Sequence, residues 1–182
     1  MGGANVTFNN VTFDYYPNKN YTGLQHSGNL VYNNCTFNGQ VFLYGQSETF
    51  NECTFNQNSA DAYNVWTYSA DKVEFNDCTF NSAGKALLVY VEHATEFNEI
   101  TITGTEFNAS QAVAGKAAIE IDSSLSGGAS IEIKDTTATG FGNGNVSGNS
   151  LWNNKKDNNT DANNDVTITV DNNVVLAPVT FV

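Results

Sequence analysis

FNECTFN, residues 50–56, is one copy of a phrase that recurs as FNNVTFD at 8–14, YNNCTFN at 32–38 and FNDCTFN at 75–81. Its pattern is aromatic, Asn, acid or amide, Cys or Val, Thr, Phe, then Asn or Asp. Looser copies follow as ITGTEFN at 102–108, IKDTTAT at 133–139 and VDNNVVL at 170–176. The starts at 8, 32, 50, 75, 102, 133 and 170 give steps of 24, 18, 25, 27, 31 and 37 residues. A unit this short cannot bury its own apolar face, so the copies must stack and share one core.

Within the phrase, Phe8, Tyr32, Phe50 and Phe75 end one strand. The Asn-x pair turns the chain, because Asn tolerates the left-handed region and bonds its own backbone. Cys or Val, Thr and Phe open the next strand, with Cys35 and Phe37 on one side and Thr36 on the other. Further short strands lie between phrases: VFLY at 41–44, NVWTY at 64–68, ALLVYVE at 86–92 and AAIEID at 117–122. An antiparallel meander would want two-residue hairpins, and Asn38-Gly39 is an isolated candidate for one.

On this repeat and strand pattern, residues 5–176 resemble the right-handed parallel β-helix, the pectate-lyase-like superfold, a group that includes adhesin-like bacterial surface proteins. The expected fold is all-β: a right-handed parallel β-helix (β-solenoid) of about six to seven coils. The expected organisation is a single β-helix domain over 1–182, an excerpt of a longer extracellular protein, with 142–165 as an extended loop. Met1-Gly2-Gly3 reads as an added start on a trimmed mature domain, and the missing cap points to an excerpt.

Stacking places equivalent residues about 4.8 Å apart, so ladders are expected. Phe13, Phe37, Phe55, Phe80 and Phe107 should form an inner aromatic stack, and Asn9, Asn33, Asn51 and Asn76 an amide ladder. Asn38, Asn56, Asn81 and Asn108 are candidates for a second ladder, and Thr12, Thr36, Thr54 and Thr79 for an outer hydroxyl row. FNEITIT at 97–103 competes with ITGTEFN for the fifth register; AGKA, recurring at 83–86 and 114–117, favours ITGTEFN.

Nineteen acids against seven lysines and no arginine give a formal charge of −12. That excludes the basic face that nucleic-acid binding needs. It also excludes bidentate Arg recognition of an anionic polymer. No apolar run is long enough to span a membrane. A neutral glycan, a cation or a protein partner fits this charge.

Cys35, Cys53 and Cys78 share one phrase position and lack Cys-x-x-Cys spacing, so they read as buried thiols filling a stack rather than zinc ligands. An inter-coil disulfide between neighbours is geometrically demanding. His26 and His93 fall in different coils and read as surface histidines. The Asn-x-Ser/Thr sequons at Asn5, Asn10, Asn20, Asn34, Asn108, Asn145 and Asn158 follow from the asparagine-rich bends. Asp157, Asp161 and Asp165 are weak Ca²⁺ candidates, since their spacing is four residues and the EF-hand glycine is missing. No other cofactor is expected.

If Leu43, Val65, Val89 and Ile119 point inward, then Phe42, Tyr44, Trp66, Tyr68, Tyr90, Glu92, Glu120 and Asp122 face out, with Trp152 extending the row. Aromatic rings rimmed by carboxylates suit sugars, because rings stack and acids accept hydroxyl hydrogen bonds. The expected function is therefore a non-catalytic secreted or cell-surface domain, adhesin-like, binding a glycan or a host protein. The alternative is a polysaccharide lyase or glycoside hydrolase using Glu92, Glu120, Asp122 and Lys116. Arg, the base that the resemblance implies for many lyases of this fold, is absent, although Lys85 and Lys116 occupy matching positions. A structural stalk is the second alternative, and exposed strand edges at the ends invite end-to-end self-association.

Overall fold

The computed structural model describes residues 3–14, 28–68, 70–90, 97–121, 128–142, 149–153 and 166–179. Every strand pairing among them is parallel, and the strands form three sheets. The first, seven-stranded sheet holds Ala4–Asn9, Gly28–Asn33, Ser47–Asn51, Lys72–Asn76, Phe97–Thr103, Gly128–Lys134 and Val166–Val170. The second, also seven-stranded, holds Thr12–Asp14, Thr36–Asn38, Thr54–Asn56, Thr79–Ser82, Glu106–Ala109, Thr137–Thr139 and Val175–Ala177. The third is five-stranded: Val41–Phe42, Val65–Trp66, Leu87–Val89, Ile119–Ile121 and Trp152–Asn153. The chain visits the sheets in turn, and each sheet adds its strands in sequence order. This all-β, all-parallel order fits a parallel β-helix. Trp152–Asn153 lies inside 142–165, so that segment is not loop throughout.

The repeated phrase forms the corner between the first and second sheets. Its third residue sits in the left-handed region in copy after copy: Asn10 at φ 57°, Asn34 at 51°, Glu52 at 53°, Asp77 at 52°, Gly104 at 62° and Asp135 at 47°. Asn and Asp reach that region more readily than most residues. At position 104 a side chain would run into the Asp77 carboxylate, so glycine is the residue that fits. The second residue of the phrase, free of that duty, carries the amide ladder. Asn33 donates to Asn9 at 2.8 Å, Asn51 to Asn33 at 2.8 Å and Asn76 to Asn51 at 2.9 Å. A second ladder runs from Asn38 to Asp14 at 2.7 Å, Asn56 to Asn38 at 2.9 Å and Asn81 to Asn56 at 2.9 Å.

Inside the corner, Phe13, Phe37, Phe55, Phe80 and Phe107 stack with ring centroids 4.9, 4.9, 4.6 and 4.7 Å apart. Phe8, Tyr32, Phe50 and Phe75 form a second stack at 5.1, 4.7 and 5.2 Å, meeting the first edge-to-face. Both geometries suit the ring quadrupole. Thr12, Thr36, Thr54 and Thr79 are in register on the outer side.

The fifth copy follows ITGTEFN: Ile102 pairs with Phe75 and Phe107 with Phe80. The last copy differs from the sequence reading by one residue. Val170 pairs with Ile133, but Val175 pairs with Thr137 and Leu176 with Ala138, so this bend is one residue longer.

Cys35, Cys53 and Cys78 are buried and free. Each thiol donates to backbone carbonyls, as Cys53 Sγ does to Tyr32 O and Asn51 O, both at 3.4 Å. Thr105 and Thr136 continue the column, their hydroxyls donating to Thr103 O at 3.2 Å and Lys134 O at 2.8 Å. In each of these five the donor meets the carbonyl two residues back, whereas the first coil has Val11 at the same position and packs it against the core. Burial pushes the Cys35 thiol up, and the hydrogen bond to Cys53, followed by burial, pushes the Cys78 thiol up. Those two thiols are poor nucleophiles and poor metal ligands, whereas the hydrogen bond with Cys78 lowers the Cys53 thiol between them.

Candidate aromatic face and its polar borders

The third sheet carries the residues singled out for function. Its alternation is as expected at the core: Leu43, Val65, Val89 and Ile119 are fully buried. On the opposite side Phe42, Tyr44, Trp66, Tyr68 and Tyr90 are half-buried and touch one another. Phe42 lies 5.5 Å from Trp66, Tyr44 4.8 Å from Tyr68, Trp66 5.9 Å from Tyr68, and Tyr90 5.7 and 5.4 Å from Trp66 and Tyr68. Strand register produces the patch by aligning Phe42 with Trp66. Tyr68, at φ 43°, lies where the chain leaves the sheet. The Trp66 indole nitrogen is buried with no hydrogen-bond partner, so this residue offers its ring and not its N–H.

The carboxylate rim does not extend across the sheet as the sequence suggested. The row Phe42, Trp66 continues in register with Leu88, Glu120 and Asn153. Glu120 is 1% exposed, and its oxygens meet the Ala117 N–H at 2.6 Å, Asn153 Nδ2 at 3.0 Å and Lys116 Nζ at 4.0 Å. A carboxylate covered in this way cannot accept hydrogen bonds from a surface sugar or attack one, and Lys116 is turned toward it. Trp152 does not prolong the aromatic row either. It pairs with Ile119, a core residue, and packs against the core. The cause is a shift of one position: Asn153, not Trp152, continues the outer row. Glu92, Asp122, Asp157, Asp161, Asp165, His26 and His93 lie outside the described residues. Among the described residues, no three His, Cys, Asp or Glu side chains are grouped to hold a metal ion. No helix among them is long and apolar enough to cross a membrane.

Two polar features escaped the sequence reading. An open concavity of about 550 Å³ is lined by Asp14, Asn38, Asn56, Gln57, Asn58 and Ser59, and a shallower one of about 240 Å³ adds Asn81, Ser82 and Ser110. Both follow the second amide ladder. The amides of that ladder also line a groove whose lining includes Gly39, three residues before Phe42.

The second feature is Glu48, on the inward side of the first sheet, aligned with Leu30 and Val73 and 3% exposed. Its Oε1 accepts from the Tyr44 and Gly45 N–H groups at 3.0 and 2.8 Å. Burial pushes its carboxyl up to about 7, against the lowering effect of those two bonds. One coil on, the equivalent corner is polar and neutral: Thr67 Oγ1 accepts from the Tyr90 N–H at 3.0 Å, and Asn98 Nδ2 donates to Ala70 O. Glu48 and Thr67 thus fix the backbone at Tyr44 and Tyr90, the two ends of the aromatic patch. The signal was an acid at an inward position of the strand SETFN, legible only once the register was known.

In comparison with known proteins, the chain matches no protein-family model, no curated protein and no solved structure at a significant level.

Proposed function

We propose that this chain is a non-catalytic, right-handed parallel β-helix domain of the pectate-lyase-like kind, secreted or displayed on a cell surface, that holds a neutral glycan in the manner of an adhesin. The contact surface is the patch of Phe42, Tyr44, Trp66, Tyr68 and Tyr90. The observation that carries the reading is the contiguity of five half-exposed rings on one sheet face. A cluster of rings on one face, tilted 37–89° to one another, gives sugar rings surfaces to stack on, while Tyr hydroxyls and the amide groove supply hydrogen bonds. The charge of −12 disfavours an anionic ligand. The enzymatic alternative loses support, because Glu120 and Lys116 are engaged with each other below the surface.

A glycan array probed with wild type and Trp66→Ala tests this reading. Binding to neutral glycans is expected for wild type, with a loss of about two- to tenfold in the variant, given that ring stacking contributes roughly 0.5–1.5 kcal/mol beyond area burial. No binding to any glycan by wild type would remove the sugar reading and leave a protein partner for the same face.

End-to-end association belongs to the same reading. The strand Val175–Ala177 closes one end of the second sheet, with Val175 61% and Leu176 41% exposed.

A further inference from the structure

The outer row of the third sheet changes character once. Phe42, Trp66 and Leu88 are followed by Glu120 and Asn153, each in register with its predecessor. Glu120 is 1% exposed and Asn153 is fully buried. Lys116, with 13% of its side chain exposed, brings Nζ to 4.0 Å from Glu120 Oε2. That same oxygen accepts a 3.0 Å hydrogen bond from Asn153 Nδ2. A carboxyl group therefore stands between a primary amine and a primary amide, shielded from water. Burying charge costs several kcal/mol per ion, and at this position the earlier coils use aromatic or aliphatic residues. An apolar row would serve the fold at least as well.

We propose that Lys116 and Asn153 join in an intramolecular isopeptide bond, with Glu120 as the acid–base group between them. Attack requires a neutral amine, and transfer of a proton from Nζ to the facing carboxylate supplies it with no change in net charge. The Glu120 carboxylic acid is then a donor, and a turn of the Asn153 amide, whose two ends are nearly alike in shape, presents its carbonyl to that proton. The Nζ lone pair adds to Cγ, the carbonyl π pair moves to Oδ1, and Oδ1 takes the Glu120 proton. Glu120 next removes a proton from the cationic Nζ and passes it to Nδ2. The Cγ–Nδ2 bond breaks, its electron pair leaving with ammonia, while Oδ1 returns its proton to Glu120. The sum is one amine plus one primary amide giving one secondary amide plus ammonia. Glu120 ends as the acid it was, and no oxidant or metal is consumed. Shielding favours the reaction, because it strengthens the polarisation of Cγ and keeps competing water away.

The product would tie the start of one third-sheet strand to the next strand of the same sheet, closing the chain between residues 116 and 153 into a covalent loop. In a chain whose described cysteines are free, this supplies the unfolded-state restriction that disulfides give elsewhere. The inference stands apart from the glycan reading, since none of the three residues belongs to the aromatic patch.

Intact-mass measurement of the purified chain, followed by peptide mapping, tests it. Wild type should be lighter than its sequence by one ammonia and should yield a branched tryptic peptide joining the Lys116 and Asn153 segments. Lys116→Arg and Asn153→Ala should each show the full mass and no branched peptide. Wild type at full mass overturns the proposal. So does an ammonia loss that persists in Lys116→Arg without a branched peptide, which would place ring closure at a backbone Asn instead. A branched peptide formed by Glu120→Gln at the wild-type rate would overturn the role given to Glu120.

Discussion

At the scale of single residues, two of the buried polar groups, Tyr32 and Glu48, stand close together among apolar neighbours. Tyr32 occupies a position that is phenylalanine in the flanking coils, and its hydroxyl is buried with no partner. Burial, and then the Glu48 charge, push that phenol up from its ordinary range. Glu48 itself is raised from 4.5 to about 7 by burial. In the folded chain it holds its proton across that interval, whereas in the unfolded chain it releases it. The unfolded state therefore binds fewer protons there, and stability falls as pH rises from about 4.5 to about 7, then levels off. Glu48→Gln keeps the acceptor for the Tyr44 and Gly45 N–H groups and removes the ionisation. Urea unfolding from pH 4 to pH 8, run at about half-unit steps, should show the wild-type decline flattened in the variant. At pH 8 the variant should be more stable by about 3 kcal/mol, the linkage equivalent of the shift. Equal pH slopes in the two proteins would refute the buried-carboxyl account.

At the scale of elements, each strand is only two to seven residues long, and no strand is stable alone. Stability comes from repeating side-chain contacts between coils. The amide ladder is the polar example: Asn51 donates to Asn33 and accepts from Asn76. Asn51→Ala deletes both bonds and leaves a donor and an acceptor on the neighbours. A loss of about 1–3 kcal/mol is expected in denaturant unfolding. Asn9→Ala, at the exposed start of the ladder, loses one partner and should cost less. Equal costs for the two would mean that the ladder contributes no more than independent surface contacts. The Cys column follows the same logic: a small side chain fills the bend, as thiol in Cys35, Cys53 and Cys78, hydroxyl in Thr105 and Thr136, and plain hydrocarbon in Val11.

At the scale of the whole molecule, stacked units contact only their neighbours, so an edge strand of the stack is a surface on which a second copy of this chain can pair. Among the described residues, Val166–Val170 and Val175–Ala177 are the edge strands of their sheets, and Val170, Val175, Leu176 and Val179 are exposed there. At the opposite end Phe8 and Phe13 are half-buried. Sedimentation equilibrium over a range of concentrations should show an apparent mass rising above the monomer. Leu176→Asp should restore the monomer. A mass independent of concentration in wild type would exclude end-to-end pairing at those concentrations.

The repeat by itself determined the inner Phe stack, the Asn ladder and the buried thiols, because a stacked unit forces equal residues onto equal positions; at 97–108 two copies competed, and the pairing of Ile102 with Phe75 decided between them. Local chemistry was enough within the repeat: Asn and Asp for the left-handed bend, alternation for the strand faces. The aromatic patch was legible for the same reason, since a two-residue period fixed which side Phe42, Trp66 and Tyr68 would take. Three further things only the tertiary structure decided. The longer bend at 171–174 needed the observed pairing of Val175 with Thr137. The burial of Glu120 depended on what covers an outward-pointing side chain, which alternation cannot report. The meeting of Lys116, Glu120 and Asn153 required a register between residues as far apart in sequence as Asn153 and Gly115, a separation of 38. Periodicity says which way a residue points within its own coil. What stands over it, and which distant residue comes beside it, are set by how the coils pack.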